Sequence, residues 1–315
     1  MRMKNLGKSG LRVSVVGLGC NNFGMKCDQD ATNDVVHRAL DLGITLFDTA
    51  DMYGNRGGSE TMLGKALGSR RKDIVLATKF GLPMGEGDTN KGASRRYIMN
   101  AVEASLKRLN TDYIDLYQIH FPDPATPIEE TLRALNDLVT QGKVRYVGCS
   151  NFASWQLVEA QMIAQREGYA RFITAQNHYN LLDRRIELEL VPAANAYGAS
   201  ILPYFPLASG MLTGKYKRNQ NLPKDGRLAL REEMARNILT EANYEIVEKI
   251  AGFADRCGRT VLDVAIGWLA HQKHVGSVIA GATRPEQVEQ NVAAGNWDLT
   301  DEEAEEINLM TFRLF

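Results

Sequence analysis

Asp48, Tyr53, Lys79 and His120 are the side chains of this 315-residue chain best suited to chemistry. Three of them end apolar runs: Ile44-Thr45-Leu46-Phe47-Asp48, Ile74-Val75-Leu76-Ala77-Thr78-Lys79, and the run from Tyr113 to His120. Tyr53 follows the first run by one short turn. A phenol, with a reference pKa of about 10, is a weak acid at neutral pH. A neighbouring ammonium favours the phenolate and lowers that value. Lys79 supplies the ammonium, and Asp48 keeps it charged and in place. Tyr53 then becomes a proton donor to an oxygen that gains negative charge. His120 can give that oxygen a second hydrogen bond and orient a carbonyl. The set suits carbonyl reduction, with hydride arriving at carbon and a proton at oxygen. Acyl transfer is disfavoured, because no Ser or Cys stands beside a base in a nucleophile elbow. No His-Glu-x-x-His pattern or carboxylate cluster points to a metal.

Such residues need strands to hold them. Short apolar, β-branched runs bounded by turn residues predict buried strands at 13–17, 44–48, 74–79, 113–120, 144–148, 172–176, 200–204 and 277–280. A hairpin around residues 6–11 precedes them. Helical patterns fall at 33–42, from Ser59 to Gly68, after a Ser94 cap, and at 154–166, 183–197 and 244–257, with Pro192 bending the fifth. Extra helices are expected at 261–271 and 285–294. Thr126, Pro127 and Glu129 read as a capping box with proline at the first helical position, and that helix stops at Gly142. Strict alternation implies parallel strands. The pattern predicts an α/β chain folded as a (β/α)8 TIM barrel, one domain over residues 1–315, with an N-terminal β-hairpin and extra helices. Charged strand ends then share the rim where barrels carry their sites. The connections 80–93 and 206–240 are long enough to read as covers over that rim.

Composition excludes other classes. The chain is 44% hydrophobic and 24% charged with net charge −1, ordinary for a globular protein and unlike a nucleic-acid or membrane-surface binder. No apolar stretch is long enough to span a bilayer, and Met1-Arg2-Met3-Lys4-Asn5 lacks the apolar core of a signal peptide. Cys20, Cys27, Cys149 and Cys257 form no paired or zinc spacing, so a cytoplasmic location is expected. Cys20, Cys149 and Cys257 read as small buried residues and Cys27 as exposed near the rim. His178, His271 and His274 show no partner spacing, and Asp51 reads as an ordinary loop residue.

The segment Phe47-Asp48-Thr49-Ala50-Asp51-Met52-Tyr53-Gly54 resembles the aldo-keto reductase superfamily. So do Thr78-Lys79-Phe80-Gly81, Leu116-Tyr117-Gln118-Ile119-His120, and the stretch from Ser105 to Leu116. The resemblance runs from Gly17 to Asn291 and implies Tyr53 as general acid, Lys79 and Asp48 as its tuning pair, and His120 as the carbonyl-orienting group. It further implies a nicotinamide cofactor without a Rossmann site, in keeping with Asn22 where a third fingerprint glycine would stand. Ser150, Asn151 and Gln176 match the carboxamide holders and Tyr204 the ring stacker, with Gly19, Cys20, Asn21 and Asp48 alongside. Phe205, Pro206, Leu207, Ser209, Gly210, Met211, Leu212 and Lys215 match the pyrophosphate cover. Gly281, Thr283, Arg284, Gln287, Gln290 and Asn291 are expected on the adenosine side, where Gly281 and Ala282 depart from the Lys and Ser that the family often carries.

Thr283 and Glu286 fit a capping box, so a helix N-terminus faces the barrel top and offers N–H groups to phosphate. Arg284 could grip a 2′-phosphate, which favours NADPH/NADP+ and leaves NADH as the alternative. Asn22 and Phe23 are expected to join Tyr53 and His120 around the substrate. The expected partner is a small carbonyl compound. The superfamily also includes potassium-channel β subunits, so a nucleotide-binding regulatory subunit is the second reading. A barrel lyase or isomerase without nicotinamide is the third.

Overall fold

A hairpin of β1 (Met3–Asn5) and β2 (Arg12–Ser14) opens the chain. It takes up residues 12–14, so the first barrel strand is β3 (Val16–Gly19), later than the expected 13–17. The barrel continues with β4 (Leu46–Asp48), β5 (Val75–Phe80), β6 (Ile114–Ile119), β7 (Val144–Ser150), β8 (Phe172–His178), β9 (Ser200–Tyr204) and β10 (Val278–Gly281). These eight strands form one parallel sheet in the order β10-β3-β4-β5-β6-β7-β8-β9. The ring closes just before β10, where the Ile201 N–H donates to the His274 carbonyl at 2.8 Å and the Gly276 N–H to Ile201 at 3.0 Å. This computed structural model describes residues 1–313 except 224, 225, 227 and 230.

Helices wrap the outside: α1 (Gln29–Asp41), α2 (Tyr53–Leu67), α3 (Arg95–Leu109), α4 (Ile128–Thr140), α5 (Ser154–Glu167) and α6 (Leu190–Tyr197) each follow one strand. Three helices follow β9: α7 (Glu232–Ile238), α8 (Glu241–Arg256) and α9 (Val261–His271). Two follow β10: α10 (Pro285–Gly295) and α11 (Asp301–Thr311). The expected helix 183–197 is a 3-10 turn, Arg185–Glu187, and then α6. Helices α7 and α11 were not foreseen. The first lies inside the long 206–240 connection, and the second is mostly acidic on its exposed face.

Helix starts follow local capping chemistry. Asp28 accepts the Ala31 N–H ahead of α1, and Ser94 accepts the Tyr97 N–H ahead of α3. Two expected boxes do not form. Pro127 is itself the cap of α4, because the Thr126 hydroxyl donates to Asp123, which also accepts the N–H groups of Ala93 and Ala125. Ahead of α10, Thr283 is held by the Gln287 side chain, not by Glu286. Asp123 thereby ties the base of the 80–93 connection to the β6–α4 turn, and Gly92 N–H closes that base on the Gly81 carbonyl at 2.8 Å.

Two apolar layers result. Between barrel and helices lies the larger core, including Val35, Phe80, Ile98, Leu135 and Trp268. Inside the barrel, Leu46, Val75, Ala77, Leu116, Leu202 and Ile279 pack with Leu6 and Val13 of the hairpin, which therefore plugs the end opposite the strand C-termini. The plug depends on Gly7, whose φ is +56° and whose missing Cβ would lie 2.3 Å from the Gly198 carbonyl and 2.7 Å from that of Ile173. Neither backbone oxygen can move aside cheaply. Left-handed strain of about 1–2 kcal/mol and overpacking of about 1–3 kcal/mol should act together in Gly7→Ala. Urea unfolding of that variant is expected to show a loss of about 2–5 kcal/mol. An unchanged midpoint would refute the plug.

Candidate active site

Asp48, Lys79 and His120 meet at one end of the barrel because β4, β5 and β6 are neighbours that all end there. Lys79 is fully buried and donates to Asp48 Oδ2 at 2.6 Å and to the Thr49 carbonyl at 2.9 Å. Asp48 Oδ1 accepts from Gln176 Nε2 at 2.9 Å and Gln118 Nε2 at 3.3 Å. The carboxylate is thus surrounded by donors, as a buried charge requires. Gln118 escaped the sequence reading. It lies two residues before His120 on β6, and strand alternation alone was the signal that it faces inward.

Tyr53 is carried in by the β4–α2 loop, which is stitched to β5. Thr49 N–H donates to the Ala77 carbonyl at 2.9 Å and Asp51 N–H to that of Lys79 at 3.0 Å. Directly after Tyr53 the chain makes a left-handed turn through Gly54, Asn55, Arg56 and Gly57. Gly54 has no alternative, since a Cβ there would lie 2.5 Å from both the Phe23 carbonyl and the Ser59 N–H nitrogen. The Lys79 ammonium lies 5.1 Å from the Tyr53 ring centroid, and the edge of that ring meets His120 at 5.6 Å.

The electrostatics correct one expectation. Burial raises the Tyr53 pKa, and Asp48 adds to this. Lys79 pulls it down but does not win. The phenol is therefore firmly protonated, which is the form an acid needs before it donates. Burial also works against the Lys79 charge, yet Asp48 and Tyr53 more than offset it and the pKa is raised. His120 is held neutral, its pKa lowered to about 3 by burial and by the Lys79 charge. Its Nδ1 is buried without a partner.

The residues matched to a nicotinamide cluster beside this group. Ser150 donates to the Gln176 carbonyl at 2.8 Å, and Asn151, in the left-handed region at φ +60°, donates to the His120 carbonyl at 2.9 Å. Tyr204 donates from its hydroxyl to Asn151 Oδ1 at 2.7 Å. After β9 the backbone is strained at Phe205, Ala208 and Ser209, all with positive φ. Pro206 and Ser209 are buried, Leu207 and Gly210 partly so, and Lys215 is exposed. Gly19 and Asn291 are buried, Asn21 and Thr283 half-buried, and Gly281, Arg284 and Gln290 exposed, with Gln287 bonded to Thr283.

Several expected contacts are not available as side chains. Cys20, Met211 and Leu212 are fully buried in the core and could meet a cofactor only through backbone. Phe23 is also fully buried, so its ring does not line the mouth, whereas Asn22 is half-buried and bonds the Ala282 carbonyl. An exposed aromatic, Phe121, stacks on His120 at 5.6 Å. Cys27 is buried rather than exposed, and Cys257 is only partly buried. Of the loop covers, residues 224, 225, 227 and 230 lie outside the described residues, as do Leu314 and Phe315 of the tail.

Asp51 departs most from its expected role. It is buried, its Oδ1 has no partner, and Oδ2 accepts a long 3.4 Å bond from Tyr97. Burial, and then the nearby Glu60 carboxylate, push its pKa up to about 8 against the pull of Arg108. Unfolded, the group ionises near pH 4, so between about pH 4 and 8 the folded state holds the extra proton. Stability should therefore fall as pH rises through that window. Asp51→Asn removes the titration, and urea unfolding at pH 5, 7 and 9 should show the variant gaining a few kcal/mol on the parent. Parallel pH profiles for the two proteins would show that Asp51 ionises normally.

Comparison with known proteins agrees with the geometry. The aldo/keto reductase family model matches residues 15–310. A probable voltage-gated potassium channel subunit beta of Arabidopsis thaliana is 39% identical over 303 residues, covering 93% of this chain and 91% of the relative. Versiconal hemiacetal acetate reductase of Aspergillus parasiticus is 36% identical, with 96% and 95% covered. L-glyceraldehyde 3-phosphate reductase of Escherichia coli strain K12 is 34% identical, with 94% and 88% covered. With the barrel and a family match over nearly the whole chain in agreement, the chain belongs to the aldo/keto reductase family.

Proposed function

We propose that this protein is an NADPH-dependent reductase of aldehydes or ketones, working in the cytosol, with NADH as the weaker cofactor. The observation that carries the reading is the buried Lys79–Asp48 pair set against a protonated Tyr53 and a neutral His120. The cofactor supplies hydride to the carbonyl carbon. Tyr53 releases its proton to the carbonyl oxygen as negative charge builds there, and the phenolate left behind is stabilised by the Lys79 ammonium. Asp48 keeps that ammonium charged and aimed. His120, uncharged, orients the carbonyl by a hydrogen bond without supplying a competing proton.

The residues present fit a nicotinamide nucleotide. Ser150, Asn151 and Gln176 gather amide and hydroxyl groups at the ends of β7 and β8, and Tyr204 offers a ring beside them. The α10 N-terminus has no side-chain cap; Pro285 brings no N–H and that of Gln287 bonds the Arg284 carbonyl, so Glu286 offers its backbone N–H to a phosphate, with exposed Arg284 alongside. Arg284→Ala is expected to raise the Kd for NADPH by roughly 10-fold or more while leaving that for NADH unchanged. Equal losses for both would place Arg284 elsewhere.

The direct test is steady-state turnover of a carbonyl panel with NADPH and with NADH. Tyr53→Phe should bind NADPH normally and lose about 100- to 10,000-fold in rate. Normal turnover by that variant would remove Tyr53 from the acid role. Relatives whose names describe potassium channel β subunits favour a second reading, a nucleotide-binding regulatory subunit. Cofactor binding without turnover of any carbonyl, together with stable co-purification with a channel, would select it.

A further inference from the structure

His178 shows no partner spacing in the sequence, yet the structure gives it four partners. It ends β8 in register with Tyr204 on β9, and the two rings lie parallel within 8°, centroids 5.5 Å apart, as an offset stack. Gln176 and Leu202, two residues earlier on each strand, face the barrel interior, so alternation carries both rings to the barrel mouth. Phe205 meets both rings edge-on, at 5.8 Å from His178 and 5.3 Å from Tyr204.

The imidazole nitrogens are fixed as well. Nδ1 lies 3.1 Å from Asp183 Oδ2, and Nε2 lies 3.1 Å from Asn180 Nδ2. The Asn180 amide has one possible orientation. Its Oδ1 accepts the N–H groups of Leu182 and Asp183 at 2.9 and 3.0 Å, and its Nδ2 donates to the Phe205 carbonyl at 3.0 Å. Asn180 therefore presents a donor to the imidazole, Nε2 must accept, and the ring proton sits on Nδ1 toward Asp183. Arg185 grips Asp183 through both carboxylate oxygens, at 2.8 and 2.6 Å. Tyr204 is thus held at its hydroxyl by Asn151 and on its ring by an imidazole that cannot turn.

We propose that His178 is a positioning residue for the nicotinamide half of the cofactor, forming with Tyr204 a two-ring platform that Asp183 and Asn180 lock in one tautomer and one plane. This rests on the nicotinamide reading of the preceding section. A platform rigid before binding loses less freedom when the nicotinamide arrives. The adenosine half, assigned to α10, gains nothing from it.

The test compares two ligands on intact protein. NADPH binding is followed by quenching of protein fluorescence, and 2′,5′-ADP, which lacks nicotinamide, by calorimetry. His178→Ala should weaken NADPH by roughly 3- to 10-fold, the range of one aromatic pair, and leave 2′,5′-ADP unchanged. In a Tyr204→Ala background the same substitution should cost nothing further. His178→Leu, which keeps bulk without a ring, should behave like His178→Ala and gives a second variant if the first folds poorly. Unaltered NADPH affinity, an equal loss for both ligands, or an undiminished loss in the Tyr204→Ala background would overturn the platform. Parent protein that binds no nicotinamide nucleotide would instead overturn the preceding reading, and the platform with it.

Discussion

A fully buried ammonium is the constraint around which this site is arranged. Removing Lys79 from water costs several kcal/mol, and mutual attraction repays it only when every donor and acceptor is matched. Asp48 meets that demand at 2.6 Å, the Thr49 carbonyl takes a second proton, and Gln118 and Gln176 complete the carboxylate. Four strands, β4, β5, β6 and β8, contribute to this one cluster. None can shift without breaking the ion pair or taking a donor from its carboxylate. The Lys79 bond to the Thr49 carbonyl also ties down the loop that delivers Tyr53, so this phenol takes its position from the ion pair.

That arrangement also sets protonation. Low dielectric surroundings favour uncharged forms, so Tyr53 keeps its proton and His120 stays neutral. Lys79 holds its charge, because Asp48 answers it. The positive charge therefore stands where a phenolate would form. A second buried group sits behind the first. Asp51 shares its layer with Glu60, Tyr97 and Arg108, and the crowding of acids there resists ionisation.

The barrel mouth is built from irregular backbone on regular strands. Left-handed residues follow β4 at Gly54 to Gly57, β7 at Asn151, and β9 at Phe205, Ala208 and Ser209. Each re-aims the chain beyond a strand end, while the strands below pair in parallel with one register shift, between Val147 and Cys149 of β7.

Much of this was legible in the residues. Apolar runs with period and turn boundaries placed eight strands in order, and order places Asp48, Lys79 and His120 side by side. Local pattern also gave the cap at Ser94, whose partner lies three residues away, but not the Asp28 cap that starts α1 at Gln29 instead of the expected residue 33. Where a distant group competed, the local reading failed: Asp123 took the Thr126 hydroxyl, and the hairpin took Val13 and Ser14 from the expected first strand. Burial of Phe23, Cys27 and Asp51 depends on which elements pack above them, and sequence spacing carries no such information. His178 found Asp183 and Asn180 through a loop geometry that only tertiary contacts create. The sequence by itself determined the fold class, the strand order and which polar side chains share one rim, because period and order are one-dimensional properties. Only the tertiary structure decided protonation and partnership, because solvent exclusion and distance exist only once the chain has closed on itself.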